Sequence, residues 1–329
     1  MNSGFRQPIL SFALLALPVL GVHGQSDAAR IRAAAQMIVS AYNDREFPRI
    51  YQRLGDLARA QISSQTFAKG LDDLYQKSGK LVKLGEPAFF PDAVAIYPLV
   101  FEHDKGELRI GLDSDGTILG MELNVVPPQP VASNTVELKL PFKGEWIVLW
   151  GGDEILQNYH QSISIVRNAI DVTGVDETGS THRGDGNKNS DYYGFGREIL
   201  APAGGVVTDV ISGVRDNVPG VINNFADIGN MVMIRHSTGE VSVFAHLQFA
   251  SVTVKVGDHV KQGQSIGRCG NSGNSSAPHL HFQLQATNVP TPERTIRTLF
   301  AHVMVKENGV AEVRARYLPT KGAIIRPVN

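Results

Sequence analysis

The 329-residue chain has one cysteine, Cys269, so no intrachain disulfide can form in any compartment. No cysteine stands near the start of the chain to carry a lipid. Neither sign of charge is in excess, with 31 Lys and Arg against 32 Asp and Glu. There is no basic stripe with interleaved aromatics to track a phosphate backbone, which argues against a nucleic-acid partner. Beyond the first two dozen residues no apolar run has the length of about 20 residues that a bilayer-spanning helix needs, so stable membrane insertion is not expected of the mature chain.

The first segment is different. Arg6 supplies a weakly charged start, Pro8 to Leu20 is an apolar run, and Val22-His23-Gly24 forms a small-residue cleavage pattern before Gln25. The run is short and interrupted by Pro18, so residues 1–24 are expected to be an export signal rather than a membrane span. The expected destination is the periplasm or the exterior.

From Ser26 the apolar period is helical. Ile31, Ala34, Ala35, Ile38 and Tyr42 recur on one face, a second helix is expected near Ile50 to Gln61, and Ser64 can cap a third that carries Phe67, Leu71, Leu74 and Tyr75 and ends at Gly79. The period then changes to two. Strands are expected near Lys80 to Gly85, Ala93 to Glu102, Glu107 to Leu112 and Ile118 to Leu123, with Asp115-Gly116 as a turn. Helices followed by an antiparallel sheet predict a small α+β domain over 25–126.

Pro127, Pro128 and Pro130 with Ser133 and Asn134 predict a linker over 127–135. From 136 to 329 nearly every segment has strand and turn character, among them "VELKLPF", "EWIVLWGG", "SISIVRNAIDV", "SVTVKVG" and "HLHFQLQ", so an all-β domain is expected. Near its end, two strands are expected to pair through an Asn308-Gly309 turn. Two long polar segments, 176–196 and 212–229, are expected to rim a groove.

In His279-Leu280-His281-Phe282, strand alternation puts both histidines on one face and turns Leu280 and Phe282 toward a core. A catalytic zinc takes three protein ligands and keeps a fourth position open. His160 and Asp171 are candidates to complete such a set, although His160 could be an ordinary strand-end residue and Asp171 a turn or cap.

The chain contains, in order, "NYH", "AIDV", "GFGREILAPAGGVVTDV", "GNMVMIRHSTGEVSVFAHL" and "VKVGDHVKQGQSIGRCGNSGNSSAPHLHFQLQ". This stretch, about Trp146 to Gln285, resembles the lysostaphin-like (LytM-type) family of zinc metalloendopeptidases. The resemblance implies an antiparallel β-sandwich of the duplicated-hybrid-motif type, with His160, Asp171 and His281 as zinc ligands and His246 and His279 as catalytic histidines. It also implies peptide-bond hydrolysis in bacterial peptidoglycan. The commonest family pattern has its first ligand four residues before the aspartate, where this chain has Arg167. A guanidinium stays protonated and cannot ligate. His160, eleven residues upstream of Asp171, is similar to the wider spacing of the staphylolysin-type branch, and His182 is the reserve candidate. The phrases "AYNDREFPRIYQRL" and "KSGKLVKLGEP" resemble NTF2-like accessory domains and carry no site residues.

The remaining candidates have structural readings. His236, His259, His103 and His302 have no partner set, and Cys269 is read as a small buried residue. Gly263, Gly267, Gly270 and Gly273 are assigned to tight turns, while Tyr192 and Tyr193 are open between substrate contact and loop packing. Two other functional classes stand beside the enzyme. Degenerate members of this family bind wall peptides or activate a separate amidase, but here Asp171, His246, His279 and His281 are all in place. "VKVGDHVKQGQSIG" also resembles the hairpin phrase of biotinyl and lipoyl carrier domains, but the modified-lysine phrase they need is missing. The sequence leaves the oligomeric state and the bond cleaved open.

Overall fold

A computed structural model describes residues 25–90, 94–126, 132–223, 225–288, 295–307 and 309–328. The expected export signal, the three prolines of the expected linker and Asn308 lie outside the described residues. The chain divides into two compact units at 129/130.

In the first unit, α1 (Gln25–Asn43), α2 (Phe47–Tyr51), α3 (Asp56–Gln61) and α4 (Ser64–Ser78) precede β1 (Leu81–Leu84), β2 (Ala88–Phe90), β3 (Val94–Phe101), β4 (Lys105–Leu112) and β5 (Ile118–Val125). The single helix expected near Ile50 to Gln61 is two short ones. Pro48 sits in the first turn of α2, where its missing N–H costs nothing. The cap of α4 is Ser63 rather than Ser64, its side chain accepting from Thr66 N at 3.1 Å. The helical face of Ile31, Ala35, Ile38 and Tyr42 closes on Tyr97, Leu99, Leu108 and Ile110 of the antiparallel sheet.

The second unit contains β6 (Trp146–Trp150), β7 (Ile170–Gly174), β8 (Glu198–Leu200), β9 (Gly205–Ile211), β10 (Asn230–His236), β11 (Val241–Leu247), β12 (His259–Val260), β13 (Ser265–Arg268), β14 (Leu280–Gln285), β15 (Thr295–Ile296), β16 (Phe300–Glu307), β17 (Val310–Tyr317) and β18 (Ile324–Pro327). Among the described residues, eleven of these form one sheet in the order β12-β9-β10-β11-β14-β7-β6-β18-β16-β17, with β15 added beside β14. Strands β8 and β13 form a separate ribbon, whose Ile199 and Ile266 share one apolar cluster with Val232, Phe244 and Phe282. Two antiparallel sheets therefore close on one core, and the second unit is all-β.

Of the segments expected as strands, two are not strands and a third is one only at its end. In "VELKLPF", Val136, Leu138, Leu140 and Phe142 are buried alternately, but only Leu138 makes a bridge, to Phe300. "SVTVKVG" is loop. In "SISIVRNAIDV" only Ile170–Gly174 is strand, after two 3-10 turns at Tyr159–Ser162 and Ser164–Val166. Ser133 and Asn134, expected in a linker, are held to this unit: Asn134 Nδ2 donates to Leu299 O at 3.0 Å, and the Glu240 carboxylate accepts from Thr135 N and Val136 N, each at 2.7 Å.

Candidate metal and catalytic site

The centre of the large sheet explains why the polar residues meet. In β14, Leu280, Phe282 and Leu284 enter the core, so His281, Gln283 and Gln285 face the other side. In β7, Ile170 and Val172 enter the same core, which turns Asp171 outward directly opposite His281 in the β7–β14 register. His281 Nδ1 lies 2.9 Å from Asp171 Oδ1. His160 is not on a strand. Its 3-10 turn is capped by Asn158, whose Oδ1 accepts from His160 N at 3.2 Å, and this brings His160 Nε2 to 3.5 Å from Asp171 Oδ2.

His246 reaches the cluster by a different route. Alternation from Ser242 and Phe244 would send it into the core, yet it adopts φ 59°, and the β10–β11 register shifts between Asn230 and Val232. Such a bulge re-aims a side chain. A left-handed non-glycine residue costs on the order of 1–3 kcal/mol and is held only where its surroundings fix it. Here His246 N donates to Ile228 O and the ring Nδ1 lies 2.9 Å from Ser272 O. The His246 ring lies 4.8 Å from that of His279 and 5.8 Å from that of His281, centroid to centroid. His279 Nε2 is 3.7 Å from Asp171 Oδ1.

The hydrogen-bond partners set the ring tautomers. Asn158 Nδ2 donates to Ala169 O and Gly152 O, so its Oδ1, 2.8 Å from His160 Nδ1, can only accept, and His160 carries its hydrogen on Nδ1. The same argument from the carbonyls of Ser272 and Ala277 puts the hydrogens of His246 and His279 on Nδ1. His281 Nε2 faces Gln283 Oε1 at 3.3 Å. In the neutral rings of His160, His246 and His279 the inward Nε2 is then a bare lone pair, and those of His160 and His279 lie 3.5 and 3.7 Å from the Asp171 carboxylate, whereas His281 Nδ1, 2.9 Å from the same acceptor, can donate to it. His160 Nε2 is buried with no hydrogen-bond partner. Lone pairs facing an anion repel it. The arrangement becomes favourable when a cation sits among them.

Burial, only partly offset by Asp171, pushes the His160 pKa down to about 3, and burial with His279 and His281 nearby lowers that of His246 well below its ordinary value. Burial alone would raise the pKa of Asp171, but His160, His279 and His281 together hold it below the usual carboxylate range. A histidine whose folded pKa is depressed contributes stability above its unfolded pKa of about 6.5, and that stability is lost as pH falls toward the folded value. The metal-free protein is therefore expected to lose stability as pH falls from about 6.5 toward about 3, by up to roughly 1.4 kcal/mol per pH unit for each such histidine. Thermal melts across that window check this, and a flat melting temperature would contradict it.

His160, Asp171 and His281 each offer one donor atom, and these atoms all lie within 4.8 Å of one another. His246 and His279 stand beside them. His182, the reserve candidate, is elsewhere: its ring packs on Tyr192 at 5.1 Å within the 176–196 segment. His236 is tied to Gly204 O and Ser242 Oγ, and the buried Cys269 thiol has its pKa raised by burial. Both polar segments are fastened to the stretch leading to His279. Asn217 Nδ2 donates to Gly273 O and Ser275 O, Asp216 Oδ1 accepts from Asn271 N, and Asn189 joins Asn217 O to Asn271. Gly229 and Gly273, both at positive φ, meet so closely there that a Cβ on Gly273 would lie 2.4 Å from Gly229 N. Sequence reasoning missed Asn158, Gln283, Gln285 and this asparagine network. The two glutamines had a signal, since they continue the period-two row of His281.

Residues 189–292 match the family model of Peptidase family M23. The M23 segment contains His246, His279 and His281, whereas His160 and Asp171 precede it. The chain is 34% identical over 103 residues to the cell division protein DipM of Caulobacter vibrioides, covering 31% of this chain and 15% of that protein. It is 33% identical over 124 residues to the peptidoglycan DD-endopeptidase ShyC of Vibrio cholerae, covering 37% of this chain and 27% of that protein. The chain thus spans about a quarter or less of the length of these two relatives. Among solved structures, the catalytic domain of lysostaphin from Staphylococcus simulans matches with 24% identity and a TM-score of 0.27, over 39% of this chain and 72% of that one.

Proposed function

We propose that this protein is a zinc-dependent endopeptidase that hydrolyses peptide bonds in bacterial peptidoglycan. The observation that carries the reading is the convergence of His160 Nε2 and His281 Nδ1 on Asp171, with His160 Nε2 buried and unpartnered. Two imidazoles and a carboxylate are a zinc donor set, and each histidine is oriented through its other ring nitrogen by an amide oxygen, as zinc-binding histidines are. The substrate class follows from the match to Peptidase family M23 and from the activity named for the Vibrio relative.

His160, Asp171 and His281 would hold the metal. A zinc ion there supplies Lewis acidity, polarising the scissile carbonyl and lowering the pKa of a water bound to it. Burial keeps His246 neutral, so its Nε2 is available to take a proton; His279 presents Nε2 to the same space. One of the pair takes the proton of the attacking water and passes it to the leaving amine, and the other, once protonated on Nε2, hydrogen-bonds the oxyanion. Their Nδ1 hydrogens are anchored on Ser272 O and Ala277 O, which keeps both rings aimed inward. His160 is 1% exposed while the His279 side chain is 14% exposed, so substrate reaches the cluster from the His279 side.

Export through residues 1–24, an NTF2-like character for the first unit and a duplicated-hybrid-motif character for the second are parts of this proposal. Digestion of purified walls, with the new peptide termini read by mass spectrometry, tests it.

A further inference from the structure

His281, Gln283 and Gln285 are spaced two apart on β14, and all three are buried. Gln283 Nε2 donates to Gln285 Oε1 at 3.0 Å, which turns Gln283 Oε1 toward His281 Nε2 at 3.3 Å. On the β11 side the same sheet face is apolar, while on the β15 side Thr295 stands opposite Gln285 with its Oγ1 accepting from Asn168 Nδ2 at 3.0 Å. Val243 stands opposite Gln283 and Val241 opposite Gln285, and both valines cluster with Met231 and Met233. Those neighbours offer no competing hydrogen bond. Packing alone does not explain two amides in such a place, because Gln285 Nε2 is buried without a partner, and aliphatic side chains would remove that cost.

We propose that Gln283 is a positioning residue for the metal centre: it holds His281 in the tautomer with hydrogen on Nε2, and Gln285 fixes which way the Gln283 amide points. This inference rests on the metal reading of the site. Without an acceptor at Nε2, the His281 hydrogen moves to Nδ1, where Asp171 Oδ1 at 2.9 Å accepts it in a charge-assisted bond. Nδ1 then has no lone pair for a cation, and metal binding must first displace that hydrogen. With Gln283 Oε1 in place, Nε2 has an acceptor of its own at 3.3 Å, so the hydrogen can sit there and leave Nδ1 bare for an ion.

Zinc affinity by competition with a chromophoric chelator, and the His281 tautomer by nitrogen-15 NMR of the metal-free protein, test this on the full chain. Gln283→Leu is expected to weaken zinc binding about 10–100-fold, as loss of a partner behind a metal ligand does, and to move the ring hydrogen to Nδ1. Gln283→Glu keeps an acceptor and is expected to restore affinity and the Nε2–H tautomer. Unchanged affinity and tautomer in Gln283→Leu would overturn the inference. So would equal losses in both variants accompanied by early thermal unfolding, which would assign Gln283 to packing. If the unaltered chain binds no zinc, the metal reading itself falls and takes this inference with it, whereas binding that ignores Gln283 removes the inference alone.

Discussion

Asp171→Asn is expected to abolish zinc binding and peptide cleavage, and with them the stabilisation that zinc gives the unaltered chain. The carboxylate is buried, and the nearest nitrogens of His160, His279 and His281 all point at it. With a cation present, that geometry is a ligand set. In its absence the histidines still hold the carboxylate ionised, so the amide is expected to cost the metal-free protein some stability as well. Loss of Lewis-acid stabilisation is worth several kcal/mol, on the order of 10²–10⁴-fold in rate. Melting curves with and without zinc check this: zinc should raise the melting temperature of the unaltered chain and leave that of the variant where it is. A variant that zinc still stabilises would show that Asp171 is not a ligand.

The second large effect belongs to His246 and His279. Replacing either with alanine is expected to lower kcat about 10²–10⁴-fold, the usual contribution of a positioned proton-transfer group, with zinc still bound at full stoichiometry and KM little changed. The double variant should fall hardly further than the worse single one, because residues that act as a unit are not additive. Measuring zinc content beside kcat separates these two histidines from His160 and His281, whose loss should release the metal. If His246→Ala also lost its zinc, the division of the cluster into ligands and proton carriers would be wrong.

The shared face of His279 and His281 was legible because strand alternation is local, and Asp171, which the sequence left open as a turn or cap, obeys the same alternation. Leu280, Phe282, Ile170 and Val172 mark the core face, so the polar residues between them must share the other. His160 was harder. Its apolar neighbours "SISIV" have strand composition, but Asn158 caps a 3-10 turn and its side chain claims the His160 N–H and ring, a local bond that competes with the ladder. His246 could not be placed by pattern at all. Its alternation points to the core, and only a positive φ sustained by Ser272 O and Ile228 O turns it to the site. The failed strand at "VELKLPF" follows from the same limit: its alternation is real, but its backbone bonds are scattered singly over Pro202, Ala301 of β16 and Leu200 of β8 and make no continuous ladder with one strand. In the first unit the helical periods were clear, yet Gly55, extended at the cap of α3, divided one expected helix into two.

The most direct test of the central claim is digestion of peptidoglycan from several wall types by the purified protein, with chelator and then restored zinc, reading released fragments by mass spectrometry. The account predicts new peptide termini that disappear with chelator, return with zinc, and are missing for Asp171→Asn under all conditions. Wall binding without cleavage of any bond, by a protein that holds its zinc, would contradict it and make the chain a wall-binding or amidase-activating relative.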